Sequence, residues 1–299
     1  MPMKILLLGR DGQVGWELQR SLAPLGELVA AGRQQADLSR PDALRALVRD
    51  IQPRVIVNAA AYTAVDKAES ESELAHRINA ESVGVLAEEA HRLGAWLVHY
   101  STDYVFDGAK DAAYAEDDAT NPLSVYGRTK LEGEQLVRSA QAKHLILRTS
   151  WVYAARGSNF AKTMLRLAKE REELKVVADQ FGAPTSAELI ADVTALALYR
   201  IHACGDKSDS LTGTYHLAAS GETTWHQYAQ YVLELAQAKG SHLKVMPAAM
   251  LPIPSSAYPL PAERPKNSRL STAKLVNTFG VHLPDWRYHV ARLLTEITQ

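Results

Sequence analysis

The chain has 299 residues, 46% hydrophobic and 22% charged, which supplies a large packed core and excludes a disordered chain. Its 33 Lys and Arg against 34 Asp and Glu give a net charge of -1, so there is no basic footprint for nucleic acid and any anionic ligand must be met by local geometry. The single cysteine, Cys204, excludes a disulfide framework and a thiolate metal cluster and suits a reducing compartment.

The opening run "MPMKILLLGRDG" is cut by Gly9, Arg10 and Asp11 before a signal-peptide core can form, and no later apolar run approaches the roughly 20 residues of a membrane span. The expectation is a soluble, cytoplasmic protein with no membrane partner. Apolar runs then alternate with helical patterns, which predicts βαβ units around a parallel sheet. "KILLLG" reads as a strand buried on both faces and "GWELQRSLAPLG" as a helix stopped by Pro24 and Gly26. "ELVAAGR" is a second strand, "RPDALRALVRDIQ" a helix with Pro41 in its first turn, and "RVIVNAA" a third strand. One long helix is expected from about Asp66 to Leu93, then a fourth strand, "AWLVHYST". "NPLSVYGRTKLEGEQLV" is an amphipathic helix and "HLILRTSWVY" a fifth strand. Past Tyr153 the alternation loosens. "NFAKTMLRLAKERE" and "ELIADVTALALYRIHA" are helical, and "HACGDKSDSLTGT" is a polar loop. Six prolines between Pro247 and Pro265 predict an irregular stretch, either a surface connector or loops closing over a ligand.

Gly9, Gly12 and Gly15 follow the first strand at three-residue intervals and open the first helix, with Gln13 and Val14 in its first turn. A turn this tight lets backbone approach a pyrophosphate, and the helix N-terminus supplies N–H donors, so the reading is a dinucleotide site. The usual acid at the end of the second strand, which grips the adenosine ribose, is absent: Gly32 and Arg33 stand there. With no carboxylate to repel it, a 2′-phosphate pairs with Arg33, which favours NADPH over NADH; Arg33 reads equally as an ordinary solvated arginine. Asp37 and Leu38 are candidates to flank the adenine, Asp37 being also a plain turn residue. Residues 1–150 then form the dinucleotide-binding domain, to which segments at about 174–218 return, and 151–299 form mainly a substrate-binding lobe.

Ser101 and Thr102 end the fourth strand, where open α/β sheets present reactive groups. Tyr126 and Lys130 share a helix face one turn apart. In order, the glycine turn, the "NAAA" after strand three, the hydroxyl pair and the Tyr/Lys pair resemble the extended short-chain dehydrogenase/reductase family. The strings "VIVNAAAYTAVDKAE", "VHYSTDYVFDG", "YGRTK", "RTSWVY", "NFAKTMLRLAKE" and "RPKNSRL" carry the resemblance along essentially the whole chain, toward a branch acting on nucleotide sugars. It implies a Rossmann-type doubly wound α/β fold with a smaller C-terminal lobe. The implied activity is NAD(P)H-dependent reduction of the 4-keto group of dTDP-4-dehydro-β-L-rhamnose to dTDP-β-L-rhamnose.

On that resemblance Tyr126 protonates the C4 oxygen, and Lys130 lowers the phenol pKa and holds the nicotinamide ribose. Thr102, three residues before Phe106, hydrogen-bonds the same oxygen. Ala61, Tyr62 and Thr63 line the cofactor or make a strand-to-loop turn. Tyr100 and Trp151 read as contacts to cofactor and sugar respectively, or as core aromatics, and Asp103 as a partner for a sugar hydroxyl or a turn cap. The resemblance also implies a homodimer and, in some relatives, Mg²⁺ between subunits, for which Glu17, Glu188 and Glu296 match. The ten histidines show no zinc pattern, and His99 reads as a core histidine. Rival readings are a 4,6-dehydratase, disfavoured because Tyr104 stands where that enzyme needs a second acid, a 4-epimerase that keeps its NAD bound, and a non-catalytic regulatory subunit, which tends to lose the Tyr/Lys pair.

Overall fold

The computed structural model describes residues 3–297. β1 (Met3–Leu8), α1 (Gln13–Leu22), β2 (Gly26–Ala31), α2 (Pro41–Ile51) and β3 (Val55–Asn58) come first, then α3 (Val65–Ala68), α4 (Ser72–His76), α5 (Ser82–Leu93), β4 (Trp96–Thr102), α6 (Val125–Ser139) and β5 (Lys143–Thr149). β6 (Val152–Tyr153), α7 (Phe160–Glu170), β7 (Lys175–Val177), β8 (Phe181–Gly182) and β9 (Thr185–Ser186) lead to α8 (Ala187–Cys204) and β10 (Gly213–His216). β11 (Thr223–Thr224), α9 (Trp225–Ala238), β12 (Leu251–Ile253), α10 (Ala273–Phe279) and α11 (Trp286–Ile297) complete the chain.

The main sheet is parallel throughout, in the order β10-β5-β4-β3-β1-β2. Its strands are apolar runs because both faces are covered. Leu6, Leu8, Ile56, Leu97 and Ile146 point into one core with Leu44 of α2 and Leu86 of α5. The alternate residues Ile5, Leu7, Val57, Val98 and Leu145 point into the other, with Leu18 of α1 and Ile190 of α8. The doubly wound fold follows from that period of two. α8 lies along α1 and β10 pairs with β5, so this later stretch of chain rejoins the sheet, whereas β7 pairs with β12 in the smaller lobe.

Three local expectations are corrected. The single helix expected over Asp66–Leu93 is broken into α3, α4, a π-helical turn over Arg77–Glu81, and α5. Asn79 of that turn is buried; its Oδ1 accepts from Tyr62 N at 2.8 Å and its Nδ2 donates to Tyr62 O at 3.1 Å and Thr129 Oγ1 at 3.2 Å. The bulge thus ties the loop after β3 to α6. Gly133 of α6 sits against the Asn79 carbonyl so closely that a Cβ there would collide with it. The polar loop expected after α8 is a 3₁₀ helix over Gly205–Leu211. The proline-rich stretch holds two single 3₁₀ turns and β12, with the rest irregular.

Candidate active site

The turn after β1 is built for close backbone approach. Gly9 has φ +81°, a conformation that disfavours any side chain, and a Cβ on Gly15 would run into the Gly9 carbonyl. Gly12 is the N-cap of α1 and no side chain caps it, so first-turn N–H groups remain for a ligand. Gln13 Oε1 is buried without a hydrogen-bond partner. Uncapped donors and a cradle that a Cβ would fill both fit a dinucleotide phosphate, whereas the orphaned Gln13 acceptor calls for a donor such as a ribose hydroxyl. Val14, half-buried, packs against the core beneath.

At the end of β2, Arg33 is exposed and stands 3.8 Å from Asp37. Asp37 accepts from Ser39 N at 2.9 Å and Ser39 Oγ at 2.8 Å, which holds its carboxyl below the usual range and makes it a turn residue. Leu38 is buried in the core. The expectation that no carboxylate stands at this strand end is not met, because Asp11 reaches across from the glycine turn to lie over Gly32.

Beyond β3, Ala61 and Tyr62 are half-buried and Thr63 exposed, with the Tyr62 backbone clamped by Asn79 and its hydroxyl donating to Glu71 at 2.6 Å. Thr102 and Asp103 lie at the carboxyl end of β4, both buried. Thr102 Oγ1 donates to Asp103 Oδ1 at 3.0 Å, and burial raises the Asp103 carboxyl to about 6. Ser124 caps α6 by accepting from Gly127 N at 3.2 Å, which sets the helix start and delivers Tyr126 in the first turn beside Thr102. Tyr104 meets the Tyr126 ring edge-on at 5.5 Å.

Lys130 lies one turn further on and is fully buried. Its Nζ donates to Tyr100 O at 2.6 Å and stands 3.2 Å from His99 Nε2. Burial holds His99 neutral, with the Lys130 charge acting the same way, so it is a core histidine turned toward the lysine. The Tyr100 phenol is hydrogen-bonded to Thr194 of α8 at 2.7 Å, which leaves its carbonyl as its contribution to this site. The Lys130 ammonium does not acidify the phenol in the chain alone. Burial pushes Tyr126 up to about 12, with the Thr102 hydroxyl opposing, because Nζ points at Tyr100 O and His99. Burial likewise lowers Lys130 to about 8, and Glu134 pulls the other way.

Glu134, one turn past Lys130, gave no signal in the sequence beyond its i+4 spacing. Fully buried, it takes a bidentate pair of bonds from Arg148 at 2.9 and 2.7 Å and accepts from Ser101 Oγ at 2.6 Å. Burial raises its carboxyl, but Arg148, together with Ser101 and Arg138, more than offsets that and holds it below the usual range.

A cleft of about 1150 Å³ opens beside Tyr104, lined by Phe160, Trp225, Tyr258, Arg264 and Lys266 among others. The proline-rich segment forms its wall, as loops over a ligand would, and is tied down by Arg264, which bonds Asp66 at 2.7 Å through each of two nitrogens. Trp151 has φ +49°, unusual for a bulky residue, and stacks on Trp225 with centroids 3.6 Å apart. Trp225 was missed in the sequence because nothing there pairs it with Trp151.

Glu17, Glu188 and Glu296 sit on α1, α8 and α11. Burial and the neighbouring Glu188 raise Glu17, with Glu296 adding to the effect, yet among the described residues no three His, Cys, Asp or Glu converge to hold a metal ion. Within one chain Glu188 faces Arg292 at 3.5 Å and Glu17 faces Arg20 at 3.7 Å. No helix among the described residues is long and apolar enough to cross a membrane.

The family described as RmlD substrate binding domain matches residues 3–299. The chain is 56% identical to dTDP-4-dehydrorhamnose reductase of Escherichia coli K12 over 299 residues, covering 99% of this chain and 98% of that protein. It is 52% identical to the enzyme of the same name from Burkholderia thailandensis, with 99% of each covered. The crystal structure of dTDP-4-dehydrorhamnose reductase from Bacillus anthracis with NADP superposes with a TM-score of 0.87 at 34% identity, over 99% of this chain and 100% of that one.

The buried lysine has a thermodynamic signature. With Lys130 at about 8 against an ordinary 10.5, the native chain binds fewer protons than the unfolded one between those values, so its stability rises with pH there. The stability of wild type relative to Lys130→Met should rise by about 3 kcal/mol from pH 7 to pH 10.5, read by urea denaturation. A difference independent of pH would show that the lysine is not strained by burial.

Proposed function

The chain belongs to the dTDP-4-dehydrorhamnose reductase family, and on that premise we propose how its own residues carry the reaction. It is an NAD(P)H-dependent oxidoreductase that reduces the 4-keto group of dTDP-4-dehydro-β-L-rhamnose to dTDP-β-L-rhamnose, in dTDP-rhamnose and cell-surface polysaccharide biosynthesis. The observation that carries the residue assignment is the convergence of Thr102, Tyr126 and Lys130 at the carboxyl end of β4, next to Tyr104, which lines a cleft of about 1150 Å³.

NAD(P)H supplies the hydride when bound. Gly9, Gly12, Gln13, Val14 and Gly15 hold its pyrophosphate, Ala61, Tyr62 and Thr63 flank it, and Lys130 with Tyr100 lies at the nicotinamide end. Arg33 is the guanidinium for a 2′-phosphate, with Asp37 and Leu38 at the adenine side. Tyr126 gives its proton to the C4 oxygen. A phenol raised to about 12 is fully protonated at neutral pH, the state that reduction requires. Lys130 Nζ, directed at Tyr100 O and not at the phenol, would hold the nicotinamide ribose beside it. Thr102 turns its hydroxyl from Asp103 to the substrate oxygen, and Asp103 and Trp151 bound the sugar. Tyr104 packs on Tyr126 where a dehydratase would carry its second acid. The division of labour is a cofactor-binding layer from residues 1–150 plus the stretch that rejoins the sheet, and a substrate lobe from the rest of 151–299.

The reading extends to a homodimer in the cytoplasm, a location that cell fractionation would check. Trp16, Leu196, Tyr199 and Tyr288 are exposed on α1, α8 and α11, the helices that carry Glu17, Glu188 and Glu296. Mg²⁺ shared between two copies would relieve the repulsion from Glu188 and Glu296 that adds to burial in raising Glu17. Sedimentation should then shift from dimer toward monomer on chelation, and an unchanged profile removes the metal.

Tyr126→Phe should lower kcat by about 10²–10⁴-fold while the affinity for NADPH stays within a small factor of wild type. Near-normal turnover in that variant would refute the assignment of the proton donor.

A further inference from the structure

Dinucleotide folds of this kind carry an acid at the end of β2 to take the adenosine ribose diol. Here the position is Gly32, and the space its side chain would fill is occupied: a Cβ built there would collide with Asp11 Oδ2. Asp11 comes from the glycine turn, 21 positions earlier in the chain. That turn is stitched to the strand end on both sides. Gly9 N and Arg10 N donate to Ala31 O at 3.0 and 3.3 Å, and Arg10 Nη1 donates to Ala30 O at 3.1 Å. Arg10 Nε also stands 3.7 Å from Asp11 Oδ1, which steers the other oxygen toward Gly32.

We propose that Asp11 sets the balance between NADH and NADPH in this enzyme, its carboxylate replacing from the turn the one missing from β2. The inference rests on the dinucleotide reading of the glycine turn. Bound at this corner, an adenosine ribose presents its 2′-hydroxyl to Asp11 as a donor, whereas a 2′-phosphate meets a like charge. Arg33 favours the phosphate but already faces Asp37, and Arg10 is engaged with Ala30 O and Asp11. The removal of Asp11 therefore frees one guanidinium and deletes one repulsion together.

Calorimetric titration of the full chain with NAD⁺ and with NADP⁺ tests this without turnover. In Asp11→Asn the ratio of NADP⁺ to NAD⁺ affinity should rise about tenfold over wild type, and Arg33→Ala should move it the other way. The double variant Asp11→Ala with Gly32→Asp, in which the space over residue 32 is cleared, should return the ratio toward wild type, since the carboxylate is then supplied by β2 itself. A ratio in Asp11→Asn within about twofold of wild type overturns the proposal while leaving the dinucleotide site intact. Wild-type chain that binds neither dinucleotide overturns both readings.

Discussion

A lysine ammonium held at 1% exposure is the constraint on which the rest of the site depends. Burial alone drives Lys130 toward its neutral form, and the neighbours that keep it charged near neutral pH are few. Tyr100 O accepts one of its protons, and Glu134 lies one turn along the same helix. Glu134 is itself a buried charge, held by Arg148 in fork geometry and by Arg138 at 3.2 Å. The same carboxylate takes the Ser101 hydroxyl, the residue next to Thr102. One chain of contacts from β5 through α6 to β4 therefore fixes both Lys130 and the end of β4 that carries Thr102.

The close approach of α6 to its neighbours serves the same end. A helix bearing Tyr126 and Lys130 on one face must lie near the strand ends, and Gly133 permits this by removing a side chain opposite Asn79. The π-helical turn that exposes the Asn79 carbonyl also aims its side chain at Tyr62 and Thr129, so the loop after β3 and α6 share one anchor. On the other side of the cleft, Arg264 fastens the proline-rich wall to Asp66 of α3. A stretch with little secondary structure of its own is thus held at one end by that bidentate ion pair and further back by the β12–β7 pairing and by Ser255 bonding Asp179.

Much of the fold was legible because its signals are local. Five strands of the sheet announce themselves as apolar runs, and Gly9 and Gly15 after β1 stand where the turn has no room for a side chain. The face shared by Tyr126 and Lys130 follows from helical spacing alone. What stayed hidden depends on partners distant in sequence. The π-helical turn inside the stretch from Asp66 to Leu93 accompanies Asn79 bonding to the Tyr62 loop, and the Trp151–Trp225 stack pairs residues 74 positions apart. The carboxylate at the end of β2 looked absent because it comes from residue 11, and the direction of Lys130 Nζ, toward Tyr100 O instead of the phenol, is a rotamer that spacing does not encode.

The charge on Lys130 is most directly tested by the pH dependence of kcat at saturating dTDP-4-dehydrorhamnose and NADPH. Turnover should fall as the ammonium loses its proton on the alkaline side, and the fall should vanish in Lys130→Arg, whose guanidinium stays charged. A wild-type profile flat to pH 10, or an alkaline fall of the same shape in the arginine variant, would contradict the account.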